Sequence, residues 1–96
     1  MTVSVSGFDP PIIISEPAII ASAAELAIRH QDRWVDRFVN NAPLLIVEFY
    51  RDERHVGGYG IGPNYLTEGL LNRDDVPAGE ITALAGRLGV QWPPRR

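Results

Sequence analysis

Four side chains able to do acid–base or hydrogen-bonding chemistry fall close together: Glu48, Tyr50, His55 and Tyr59. A carboxylate beside an imidazole can orient the ring and exchange a proton with it, and phenols add hydrogen-bond donors at neutral pH. Whether the four meet depends on how the chain pairs with itself. If Arg51-Asp52-Glu53-Arg54 is a four-residue turn between antiparallel strands, Tyr50 lies opposite His55, Glu48 opposite Gly57 and Ile46 opposite Tyr59. Cross-strand partners share a face, and that face recurs at every second residue. The expectation is therefore that Glu48, Tyr50, His55 and Tyr59 lie together, while Leu45, Val47, Phe49 and Val56 look the other way. A slip of one residue would separate them. Three uses fit such a face. It is an acid–base site with Glu48 and His55 as the catalytic pair, a tyrosine-rich binding face for a protein (with Tyr65 close by in sequence), or a solvated outer surface.

Other groupings carry less. Glycines at 57, 58, 60 and 62 suggest a phosphate loop, but the dinucleotide fingerprint needs glycines at i, i+2 and i+5. Counting from Gly58 reaches Pro63, and counting from Gly60 reaches Tyr65, so the fingerprint fails and a glycine-rich strand or bulge is expected. His30, Asp32 and His55 outline a two-histidine, one-carboxylate metal site. Residues i and i+2 on a helix point about 200° apart, however, so His30 and Asp32 cannot hold one ion, and no metal or other cofactor is expected. His30 reads as a partly buried structural histidine. Asp74-Asp75 reads as a cap for the helix that follows, and Ile81–Val90 lacks the recognition helix that a helix-turn-helix requires.

The elements that must position these residues follow from local pattern. Thr2–Ser6 alternates weakly, Gly7–Pro11 interrupts it, and Ile12-Ile13-Ile14 reads as a strand near a sheet edge. A helix starts either at Ser15 with Pro17 in its first turn or at Ser22 with Glu25, and is predicted to run to about Val39. Its polar face would carry Glu25, Arg29, Asp32, Arg33, Asp36 and Arg37, and Asn40–Pro43 would stop it. Leu44–Tyr50 is a central strand expected to be covered on both faces over its first half, and His55–Gly62 returns beside it. Leu66–Leu71 is a helical turn or a further strand, and Asn72–Asp75 a loop. A second helix, about Ala78–Leu88, ends at Gly89, and Val90–Trp92 is a last short strand. The predicted fold is α+β: one domain over residues 1–96, with a mostly antiparallel sheet of three to five strands and two helices on one face. The ends, 1–11 and 93–96, are expected to be loosely ordered.

Composition narrows the chemistry. The chain has 96 residues, a net charge of −3, nine arginines, no lysine and no cysteine. Schiff-base chemistry, thiol nucleophiles, disulfides and thiolate zinc sites are excluded. An acidic balance argues against nucleic acid as a partner. No apolar run is long enough for a membrane span, and Met1–Ser6 does not read as an export signal, so the cytoplasm is the expected compartment.

Ile12-Ile13-Ile14-Ser15-Glu16-Pro17 leading into a helix, Ala42-Pro43-Leu44-Leu45 opening a strand, Val76-Pro77 before a helix and a closing Val90-Gln91-Trp92 form a recognisable order. It resembles that of immunity proteins from actinobacterial polymorphic-toxin systems. The resemblance implies a non-catalytic protein that binds a cognate toxin and covers its active site, and it transfers no binding residues. The chain looks shorter in the middle than that family. The leading expectation is thus a small acidic protein-binding module, an immunity protein or antitoxin that occludes a toxin or nuclease domain. The alternative is a small-molecule-binding protein or an isomerase- or cyclase-type enzyme using Glu48 and His55, which at this size needs a homodimer to enclose a pocket.

Overall fold

Leu45–Arg51, the most apolar stretch of the chain, forms the strand β4 around which the sheet is built, in a computed structural model that describes residues 1–7, 11–30, 35–36, 43–68, 71–73 and 75–93. In chain order the elements are β1 (Thr2–Ser6), β2 (Ile12–Ile14), α1 (Pro17–Arg29), β3 (Val35–Asp36), β4, β5 (Arg54–Ile61), β6 (Leu66–Glu68), β7 (Leu71–Arg73) and α2 (Ala78–Leu88). All strand pairs are antiparallel, in the order β2-β1-β4-β5-β6-β7-β3. The expected α+β architecture is present. Counting the two- and three-residue pieces brings the sheet to seven strands among the described residues.

One sheet face is sealed by both helices. Val3, Val5, Leu45, Val47, Tyr59, Ile61 and Leu66 meet Ile20, Ala23 and Leu26 of α1 and Ile81, Leu84 and Leu88 of α2 in a single core. Alternation alone explains the sheet side: Val3, Val5, Leu45 and Val47 are each at most 1% exposed, while Ile46 between them is 41% exposed. β4 is therefore covered on one face, not two. β1 lies between β2 and β4, with Val3 and Val5 in the core, so Thr2–Ser6 is held in the sheet, while 8–10 of the end expected to be loose lie outside the described residues. The alternation of Thr2–Ser6 was the signal, and pairing on both sides makes it structural. The expectation for the last residues lies outside the described residues, apart from Pro93.

α1 begins with Pro17, whose missing N–H costs nothing in a first turn, and Glu16 supplies the carbonyl that accepts from Ile20 N–H. It ends at Arg29, about ten residues before the predicted stop. The chain instead forms β3, whose Val35 and Asp36 pair with Asn72 and Leu71 of β7. Both residues are poor helix formers, and sheet pairing prevails over helical periodicity there. The remaining members of the predicted polar face, Asp32, Arg33 and Arg37, and the predicted stop at 40–42 lie outside the described residues. β7 likewise replaces part of the predicted Asn72–Asp75 loop, of which Asp74 also lies outside the described residues.

α2 matches its predicted bounds. Gly89 takes a left-handed conformation (φ 74°), and the N–H groups of Gly89 and Val90 bond back to Gly86 and Ala85, closing the helix in a Schellman arrangement. Val90–Trp92 is not a strand; Val90 and Trp92 pack on the core as irregular chain. Among the described residues no helix is long and apolar enough to cross a membrane.

Candidate functional site

The β4–β5 hairpin decides which candidate residues meet. Asp52 and Glu53 both have positive φ (51° and 67°), and Arg51 pairs with Arg54, so the loop has two residues and not four. Tyr50 pairs with His55 as predicted. Between Phe49 and Tyr50 the register shifts, however: Phe49 pairs with Gly57, which leaves Val56 as an extra residue on β5. This β-bulge moves every later partner by one, so Glu48 faces Gly58, Val47 faces Tyr59 and Ile46 faces Gly60.

Glu48, Tyr50 and His55 therefore share the outer sheet face, and Tyr59 does not. Tyr59 is 4% exposed, and its hydroxyl donates to the Ala23 carbonyl of α1 at 2.6 Å. Burial pushes its phenol well above the ordinary tyrosine value. Assigning Tyr59 to the binding face is thus corrected by the bulge. Val56, expected to look the other way, does line the helix side with Phe49, though it is 56% exposed. Tyr65 is also separate. Its ring lies over Gly62 beyond the end of β5, and its carbonyl accepts from Gly62 N–H at 2.9 Å.

The assembled group is compact. The Tyr50 hydroxyl donates to Glu48 Oε2 at 2.9 Å, His55 Nε2 lies 3.3 Å from the same oxygen, and the Tyr50 and His55 rings meet edge to face at 5.4 Å. The bond to Glu48 raises the Tyr50 phenol above its usual value, with lesser contributions from desolvation and from the carboxylate's charge. Glu48 thus accepts a hydrogen bond from the phenol and, when His55 is protonated, forms an ion pair with it. The His55 side chain is 53% exposed and the Glu48 side chain 31%, so the group is open to solvent.

Registers map the surroundings. Ile46, Glu48 and Tyr50 form a ridge along β4. The small residues Thr2, Ser4 and Ser6 lie across from them on β1, and Gly58, Gly60 and His55 on β5. The ridge consequently has a shallow groove on each side. One, about 410 Å³, runs over Gly58 and Gly60 and is lined by Glu48, His55, Thr67 and Glu68. The other, about 590 Å³, runs over Thr2 and Ser4 between Ile13 and the acidic turn residues Asp52 and Glu53. Glycine is required at the first groove's floor: a Cβ on Gly58 would stand 2.6 Å from the Val47 carbonyl oxygen, and one on Gly60 2.6 Å from Pro43 and Thr67. The glycines thus make a bulged strand, as expected, that keeps the outer face flat.

A second polar cluster joins the helices. Arg29 bonds Glu25 and Glu80, and His30, 8% exposed at the end of α1, has Nε2 at 3.2 Å from Glu80 Oε2. These bonds, Arg29's first among them, hold the Glu80 carboxyl below the usual range. The structural reading of His30 fits this position. Glu80 escaped sequence reasoning, its only signal being an acid in the first turn of α2. Ile46 and Glu68 were also missed, since a groove between strands leaves no local pattern. Among the described residues no three His, Asp or Glu side chains cluster as metal ligands would. Comparison with family models, curated proteins and solved structures finds no match to this chain.

Proposed function

We propose that this chain is a small protein-binding module that uses its outer sheet face to occlude the working surface of a partner, acting in the cytoplasm as an immunity protein or antitoxin. The observation that carries the reading is the β4 ridge: between β1 and β5, Ile46, Glu48 and Tyr50 stand with no helix over them among the described residues. Ile46 and, two strands away, Ile13 (65% exposed) add apolar area to that face. Tyrosine beside apolar groups is what interface centres are made of. The grooves flanking the ridge hold Glu48, Glu68, Asp52 and Glu53 and, among the described residues, no arginine, which suits a basic surface such as a nuclease-like toxin domain. The order of segments that resembles immunity proteins points the same way.

The test is affinity capture of the tagged chain from its native host, with mass spectrometry and light scattering, repeated with Ile46→Arg and with Arg87→Glu on the helix side. A stoichiometric partner lost with Ile46→Arg and kept with Arg87→Glu supports the reading. A partner indifferent to Ile46→Arg, or no heterologous partner, refutes it.

One observation favours a second reading. The 3.3 Å approach of His55 to Glu48 is that of an acid–base pair, which in a homodimer could serve an isomerase- or cyclase-type reaction. His55→Ala separates the two, since it would abolish turnover but barely weaken an interface spread over many side chains.

A further inference from the structure

β5 is eight residues long, but its neighbour β6 has only three. Thr67 and Leu66 pair with Gly60 and Ile61, and at Glu68 the sheet reverses into β7, where Glu68 faces Leu71. Among the described residues, no strand pairs with β5 on that side from Arg54 to Tyr59. The direction of the backbone groups along this edge follows from alternation. Gly62 N–H bonds across to Tyr65, and Gly60 faces Thr67, so Gly58 aims its N–H and C=O the same way, toward the side on which no described residue pairs with it. No proline or lysine guards this edge, and the two glycines present bare backbone.

A groove lies on either face of the edge, with Gly57, Gly58, Tyr59 and Glu68 contributing to both. The outer one is the 410 Å³ groove, where Glu48 and Glu68 are the only formally charged lining residues among those described. The one on the helix side, about 340 Å³, is walled by Ala27, Ile28, Phe49 and Val56, with Ile28 60% and Val56 56% exposed. At Gly57 there is open space where a side chain would be. An extended chain sends successive side chains to opposite faces, so a strand laid along this edge would put one set into the acidic groove and the other into the apolar one.

We propose that the open edge of β5 takes up an extended segment of the partner protein by strand addition, anchored at Gly58. Arginine or lysine side chains enter the Glu48–Glu68 groove, and apolar side chains enter the Ile28–Phe49–Val56 groove. The proposal rests on the protein-binding reading and specifies its partner: a short strand of alternating cationic and apolar residues. Charge selects it, because Glu48 lines the outer groove alone, Glu68 stands at the edge of both grooves, and among the described residues no arginine lines either, while Arg51 and Arg54 pair on the opposite parity of the hairpin.

The probe is the peptide acetyl-Arg-Val-Arg-Val-Arg-amide, titrated into the full chain and followed by backbone amide NMR. The expected result is saturable shifts centred on Gly57, Gly58 and Tyr59, with a Kd of about 1 mM or tighter and slowed exchange of the Gly58 amide. A peptide with Glu in place of Arg should bind about tenfold or more weakly, as should Glu68→Arg with the original peptide. In a strand, all arginine amides face one edge and all valine amides the other. N-methylating one set should therefore abolish binding while methylating the other spares it. Gly57→Val, which fits without a clash, should weaken binding by filling the apolar groove. Shifts centred on Ile46 and Tyr50 with Gly58 unchanged, or equal binding of both methylated peptides, would overturn strand addition. A captured partner that depends on Ile46 but not on Glu68 would sink this proposal and leave the protein-binding reading standing. Peptide binding at the edge with no partner captured would do the reverse.

Discussion

Removing the Tyr59 hydroxyl is the sharpest test of the bulged register, because the two registers give that oxygen opposite surroundings. In the structure it is buried and donates to the Ala23 carbonyl at 2.6 Å. Ala23 lies inside α1, so its carbonyl keeps a helical partner when the hydroxyl is removed. Tyr59→Phe therefore forfeits the net worth of one hydrogen bond, about 1 kcal/mol, without the larger penalty for an orphaned acceptor. In a domain of this size that lowers Tm by about 4–8 °C. Tyr59→Ala also leaves a cavity under α1 and should cost about 3–5 kcal/mol, a large share of the total stability of such a domain. The pH dependence follows with a definite sign. Burial raises the folded phenol's pKa above its unfolded value, so the folded state favours the protonated form. Stability is then complete below about pH 10 and falls as pH rises past it. Urea denaturation of wild type and Tyr59→Phe between pH 7 and pH 11 measures both effects, and the variant should lose less over the alkaline limb. If Tyr59→Phe is isostable with wild type at pH 7 and titrates like it at alkaline pH, Tyr59 is on the outer face and the bulge at Val56 is wrong.

Two further outcomes follow from the geometry. Gly57→Ala should leave stability unchanged or raise it slightly, whereas Gly58→Ala, whose Cβ would stand 2.6 Å from the Val47 carbonyl, should cost about 1–3 kcal/mol; paired denaturation curves compare them. Glu80→Gln should reduce stability at neutral pH. Because the folded carboxyl titrates below its unfolded value, Glu80 contributes above the ordinary carboxylate range and ceases to as pH falls through the lowered value, so wild type and variant should converge in acid.

What could be read from the sequence was local. The apolar run of β4, the edge strand Ile12–Ile14 and the Pro17 start of α1 each follow from side-chain types within a few residues. α2 between Pro77 and Gly89 does too, because capping and burial act over one turn or one strand. The pairing of Tyr50 with His55 was legible as well, since these residues lie next to the turn and a short loop leaves few registers. That pairing sufficed to bring Glu48 into the same cluster.

Everything that depended on distant partners was decided by the fold. A helical periodicity continues past His30, but Val35 and Asp36 join β7, and no local pattern near them announces a partner so far along the chain. Val56 is one β-branched residue among strand formers, and nothing in Arg54–Ile61 marks it as the residue to be left out of register. Only packing Tyr59 beneath α1, with its hydroxyl on Ala23, rewards the shift. That single extra residue sends Tyr59 to the core, places Gly58 opposite Glu48 and leaves the edge of β5 between two grooves. The sequence by itself determined which side chains this protein has for chemistry and that Glu48, Tyr50 and His55 would meet. The tertiary structure decided which face each later residue takes, because side-chain direction in a sheet reverses with every residue of register and burial is what selects the register.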